Sequence, residues 1–128
     1  MPKINRYVDI DTVEREAKKD YIDRHSAFVH CASSTKKGEK FPVTIKVGDQ
    51  YTHPDDFDHY IASVTLFDGE TMLAKADFVA GTLGNEKSQA EVTFNIIPMG
   101  KKLNLVAHAY CTKHGIWESD PVVVEVTE

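Results

Sequence analysis

Three short stretches concentrate side chains able to hold a metal ion. They are Asp23-Arg24-His25, then His53-Pro54-Asp55-Asp56-Phe57-Asp58-His59, then Tyr110-Cys111-Thr112-Lys113-His114-Gly115-Ile116-Trp117-Glu118. Neutral imidazoles suit zinc, copper and iron, and a single thiolate adds soft, electron-donating character without closing a four-sulfur cluster. Singly, each stretch is weak. Two histidines bracketing a polar loop also describe exposed residues, His25 alone reads as a surface histidine, and Cys-x-x-His is equally half a zinc site, part of a copper site or coincidence. Their occurrence together in a chain of 128 residues is the signal.

The elements that must bring these stretches together are mostly strands. A helix is expected from about Asp9 to Asp23, with Asp11 or Thr12 as cap, early Glu14 and Glu16, and late Lys18 and Lys19. Its apolar residues (Val13, Ala17, Tyr21, Ile22) are few, so it should bury one narrow stripe. Afterwards the period changes to two. Phe41-Val43-Ile45-Val47, Tyr60-Ala62-Val64-Leu66, Ala90-Val92-Phe94-Ile96, Leu103-Leu105-Ala107-Ala109-Cys111 and Val122-Val124-Val126 each predict one inward face. Met72 to Val79 is a further strand, and Pro42 belongs near a strand start or edge. Asp68-Gly69, Gly81 to Asn85 and Pro98-Met99-Gly100 are turns or loops. The pattern predicts an all-β fold, an immunoglobulin-like antiparallel β-sandwich with a short N-terminal helix, with a small closed barrel as the alternative. Residues 1–128 read as a single domain, 1–24 the helical segment and loop and 25–128 the sandwich.

Composition removes several classes. At 41% hydrophobic and 27% charged, the chain is an ordinary globular one. It has no apolar run long enough for a bilayer, so no membrane partner is expected. A net charge of −5 with no basic block argues against nucleic acid. No apolar region follows Met1-Pro2-Lys3-Ile4-Asn5-Arg6, so a cytoplasmic location is expected. In that setting Cys31 and Cys111 favour a buried thiol or metal binding over a disulfide. Cys111 has His114 three residues on, whereas Cys31 lies in the apolar Phe28-Val29-His30-Cys31-Ala32.

Tyr-Cys-x-x-His-Gly-x-Trp-Glu at 110–118 and His-Pro-x-x-x-x-His-x-Ile at 53–61, with Val47-Gly48 and the position of His25, resemble superoxide reductase. The likeness is to the short one-iron form, neelaredoxin, which also forms the catalytic domain of desulfoferrodoxin, and it covers most of the chain after the helix. It implies one mononuclear non-haem iron, with His25, His53, His59 and His114 equatorial, Cys111 axial and the opposite position open. It further implies reduction of superoxide to hydrogen peroxide, re-reduction by a rubredoxin-like donor, and a homo-oligomer, dimer or tetramer. The family's Glu-Lys-His-Val-Pro is here Asp23-Arg24-His25-Ser26-Ala27. By resemblance Asp23 would be a sixth ligand to ferric iron, and Arg24 would attract superoxide and order water, though a guanidinium cannot give up a proton. Loss of the proline leaves this loop less constrained.

Other residues read as structural. His30 and Cys31 point to opposite strand faces, and His108 lies on the face away from Cys111. Trp117 packs near the site with its N–H needing a partner, and backbone N–H groups around Gly115 can donate to the thiolate. Lys113 beside the ligands reads as a solvated loop lysine. A cupredoxin-like electron-transfer protein is disfavoured because no methionine follows His114, and a zinc-stabilised β-sandwich binding module because zinc closes with four ligands.

Overall fold

The computed structural model describes residues 3–7, 16–85 and 87–128. The chain runs β1 (Ile4–Arg6), α1 (Glu16–His25), β2 (Ala27–His30), β3 (Ser34–Lys36), β4 (Phe41–Val47), β5 (Ile61–Asp68), β6 (Thr71–Asp77), β7 (Glu91–Ile96), β8 (Lys102–Cys111), β9 (Gly115–Glu118) and β10 (Val122–Thr127). Seven strands form one sheet around the long β8, which pairs β5 on one side and β9 and β10 on the other. The second sheet is β2-β4-β7. Pairing is antiparallel except at the margins, where β1 joins β9 and β3 joins β10 in parallel.

The expected alternation holds where both sheets face the core. Phe41, Val43, Ile45 and Val47 of β4 are buried, as are Leu103, Leu105, Ala107, Ala109 and Cys111 of β8. Val122, Val92, Phe94 and Ile96 pack against this cluster. Pro42 is the second residue of β4, and β2 reaches only to Thr44, so no ladder partner is lost there.

Three local expectations change. In β5 the register shifts between Ile61 and Ser63, so Ile61 takes the inward place and Tyr60 and Ala62 do not. A bulge reverses side-chain direction in a way that alternation alone does not reveal. The third ligand stretch contributes a strand that alternation did not single out: Cys111 ends β8 and pairs with Gly115, which opens β9 at φ +85°. That positive φ closes a tight hairpin and is open to glycine at no steric cost. The helix passes the expected end at Asp23 and takes in Arg24 and His25; its expected start, Asp9 to Glu14, lies outside the described residues.

Candidate metal centre

Five nitrogen and sulfur donors converge at one end of the sandwich, each held by a different local device. His25 closes α1, and its Nδ1–H donates to the Tyr21 carbonyl at 2.7 Å. His53 Nδ1–H donates to the Pro54 carbonyl at 2.6 Å. Both bonds fix the tautomer and leave Nε2 as the free donor atom, as is usual for metal-bound histidine. His59 is held by paired backbone bonds with Asp56, at 3.0 and 3.1 Å, and its buried Nε2 has no hydrogen-bond partner among the described residues. His114 lies in the β8–β9 turn and presents Nδ1. Cys111 Sγ accepts backbone N–H bonds from Lys113 and His114.

His25, His59, Cys111 and His114 place one donor atom each within 4.8 Å of one another. His53 joins them through Nε2, 3.2 Å from His25 Nε2 and 3.3 Å from Cys111 Sγ. His114 Nδ1 is 3.0 Å from His25 Nε2 and 3.8 Å from Cys111 Sγ. Two nitrogens about 2.1 Å from a shared ion and at right angles lie about 3.0 Å apart, so these spacings fit adjacent ligands of one ion. The rings agree. Taken in the order His25, His53, His59, His114 and back to His25, neighbours are inclined by 83°, 77°, 74° and 82°. His25 and His59, across the square, are tilted by only 23° at 6.2 Å.

Electrostatics favours a cation. Burial, with repulsion from the other imidazoles, lowers the His25 pKa to about 3 and that of His53 to about 4, against their backbone hydrogen bonds; His59 is lowered too, again chiefly by burial. Burial pushes the Cys111 thiol up despite its N–H donors, so a thiolate here calls for an adjacent positive ion. Four neutral imidazoles and one thiolate exceed the four ligands of structural zinc and suit iron.

The surrounding contacts tie the ligand segments to one another. Tyr60 and Thr112 exchange two bonds, at 3.0 and 3.2 Å, joining the His59 and Cys111 segments. The Asp55 carboxylate accepts Leu83 N–H at 2.7 Å, and Asn85 accepts Asp55 N–H at 2.8 Å, clasping the His53–His59 loop. Trp117 is buried, donates Nε1–H to the His114 carbonyl at 3.2 Å and stacks on His25, as expected of a packed neighbour. His108 lies on the outer sheet face, hydrogen-bonded to Glu118 at 3.0 Å.

The two remaining candidates separate. Arg24 lines an open cavity of about 210 Å³ with Asp20, Tyr21, His25, His59 and His114, on a side to which Cys111 does not contribute. Asp23 does not face it. Its Oδ2 accepts the backbone N–H groups of Asp49, Gln50 and Tyr51 at 3.0, 3.0 and 2.9 Å, and the residue is buried. In this structure Asp23 is tied to the 49–51 backbone rather than placed at the cavity, for a helical reason. Two residues of helix turn the chain by about 200°, so with His25 inside α1 its second neighbour back points away from the metal side. Gly48 (φ +82°) makes the turn that Asp23 binds; a Cβ there would sit 2.4 Å from the Tyr51 carbonyl oxygen. Sequence reading missed Asp20 and Tyr21 as cavity residues, although their spacing from Arg24 and His25 (four residues each) is the signal for a shared helix face.

Four imidazoles arranged as a square, a buried cysteine among them and a cavity lined by three of the four rings make up a candidate site for a single metal ion. The desulfoferrodoxin family model matches residues 13–120. The chain belongs to that family. It is 31% identical over 91 residues to superoxide reductase of Thermococcus kodakarensis, covering 66% of this chain and 76% of that one. To neelaredoxin of Megalodesulfovibrio gigas it is 25% identical, over 79% of this chain and 87% of that one. The solved superoxide reductase (neelaredoxin) of Ignicoccus hospitalis shares the fold at TM-score 0.72, with 22% identity over 96% of this chain and 94% of that one.

Proposed function

We propose that this chain is a superoxide reductase whose iron is held by His25, His53, His59, His114 and Cys111. The single observation carrying the reading is the ring square closed by Cys111, with a cavity on the side that Cys111 does not line. Iron held by these residues would supply the single electron that superoxide needs, and the Cys111 thiolate would enrich its electron density. Superoxide takes up that electron and two protons and leaves as hydrogen peroxide. The protein's own part is positioning. The Tyr21 and Pro54 carbonyls hold two imidazoles with Nε2 free, and the N–H groups of Lys113 and His114 stabilise negative charge on sulfur. Arg24, beside the cavity, attracts the anion and orders the water that delivers protons, keeping its own.

The electron comes from outside, and a small one-electron carrier of the rubredoxin kind fits that need. Two free cysteines favour a reducing, cytoplasmic setting, and no helix among the described residues is long and apolar enough to cross a membrane. The exposed edge strand β6, with Met72 and Leu73 outward, supports association into a homo-oligomer.

Metal content with visible absorption tests the reading. Expected are about one iron per chain and a thiolate-to-iron(III) band that bleaches on reduction and returns when the reduced protein meets superoxide. Stoichiometric zinc without colour would overturn it.

A further inference from the structure

The helix that carries Asp23 away from the metal brings another carboxylate to the open face. Asp20 and Arg24 stand four residues apart on α1, line the same cavity as His25, His59 and His114, and form an ion pair. The pair is partly shielded, with 23% of the Arg24 side chain and 41% of the Asp20 side chain exposed. Arg24 Nε is buried and has no hydrogen-bond partner among the described residues, so the guanidinium has donor capacity that Asp20 leaves unused.

We infer that Asp20 is a positioning residue of the open face, which ties Arg24 beside the cavity and cancels its charge until an arriving anion displaces the carboxylate. This rests on the superoxide reductase reading and deepens it. An isolated guanidinium beside a cationic metal would hold any small anion, product included. A guanidinium paired with its own carboxylate offers its donors only in exchange for that carboxylate, and takes it back when the anion leaves. Asp20 therefore acts as a built-in competitor that weakens anion retention at the site.

The test is a double-mutant cycle on the iron-loaded protein, with Asp20→Asn and Arg24→Ala singly and together, and azide as an inert anion followed by visible absorption. With Arg24 present, Asp20→Asn is expected to tighten azide about tenfold at low salt, since it adds both a unit of charge and freed donors. With Arg24 removed, the same change is worth about threefold, the through-space effect of one charge, and fades as salt rises. Asp20→Glu, which keeps an i,i+4 pair, restores the parent affinity. Equal factors in both backgrounds would make Asp20 an independent charge and overturn the inference, as would weaker azide binding in Asp20→Asn.

A second readout needs neither iron nor activity. In the metal-free protein, chloride should perturb the Arg24 Nε–H resonance at severalfold lower concentration in Asp20→Asn than in the parent. An unchanged midpoint rejects the pairing role even where the chain reduces superoxide, and a lowered one supports it even where the chain does not.

Discussion

The two sides of the metal position are built on different terms. On one side the donors are buried or half-buried and fixed by backbone partners: Tyr21 and Pro54 carbonyls on two rings, Asp56 on the His59 segment, and the Lys113 and His114 N–H groups on sulfur. On the other stand Asp20, Tyr21 and Arg24, partly exposed side chains of one short helix, fixed mainly by each other and by ring contacts. A donor atom oriented by backbone has one place to go. A guanidinium held by an exposed carboxylate can exchange that partner for a ligand. The cage is thus suited to holding an ion in fixed geometry, and the open face to admitting and releasing an anion.

Removing a cage donor should have the largest effect. Cys111→Ser replaces the sole thiolate by a hydroxyl of far higher pKa, and outer contacts alone are worth about 10–100-fold in metal affinity, so a loss beyond about a hundred-fold is expected. Iron content after dialysis and disappearance of the thiolate band report it. Retention of the band would place the sulfur ligand elsewhere.

The cage also predicts a pH dependence of the metal-free fold. His25 and His53 ordinarily titrate at 6.5 but are lowered by burial to about 3 and about 4 when folded. Between those values and 6.5 the unfolded chain binds more protons, so stability is fully present above pH 6.5 and declines as pH falls toward 3. Thermal melts of the metal-free protein from pH 7 to 4 should show a falling Tm. A flat profile would mean the imidazoles are already wet and mobile without metal.

Asp23 tests where the cage ends and its scaffold begins. Asp23→Asn keeps an acceptor but loses the charge that three N–H groups share, at a cost of about 2 kcal/mol and several degrees in Tm. Iron stoichiometry and the oxidised spectrum should be unchanged. A shifted spectrum at unchanged Tm would return Asp23 to the metal.

Much of this division was legible from the sequence. His-Pro-x-x-x-x-His-x-Ile and Tyr-Cys-x-x-His-Gly-x-Trp-Glu sit on turns whose local geometry sets donor direction, and the cage was legible through the family resemblance that these motifs carry rather than through spacing alone. Strand faces were legible wherever β4 and β8 alternate against the core. The β5 shift after Ile61 was not, because a bulge leaves no mark in a run of apolar residues. The end of α1, two residues past the expected Asp23, was not legible either. The missing proline suggests a looser loop at 26–27, whereas the helix continues through His25 and ends just before it. Ser26 then closes it with Oγ–H to the Ile22 carbonyl at 2.5 Å. With the helix continued to His25, Asp20 rather than Asp23 lines the cavity.

Trp117 touches both sides and gives the smallest expected effect. Its ring stacks on His25 at 5.2 Å and meets Tyr21 edge-on at 5.3 Å, while its N–H holds the His114 carbonyl. Trp117→Phe keeps an aromatic body but loses one hydrogen bond and some volume, together about 1–2 kcal/mol of stability. Because the His25 and His53 tautomers are set by backbone carbonyls rather than by this indole, iron stoichiometry should hold and affinity should fall less than about threefold. Competition with a chelator of known strength measures that affinity directly. A tenfold loss would show that the cage leans on the aromatic contacts of the helix, and the contrast between a backbone-fixed cage and an exchangeable open face would have to be redrawn with Trp117 as part of the cage.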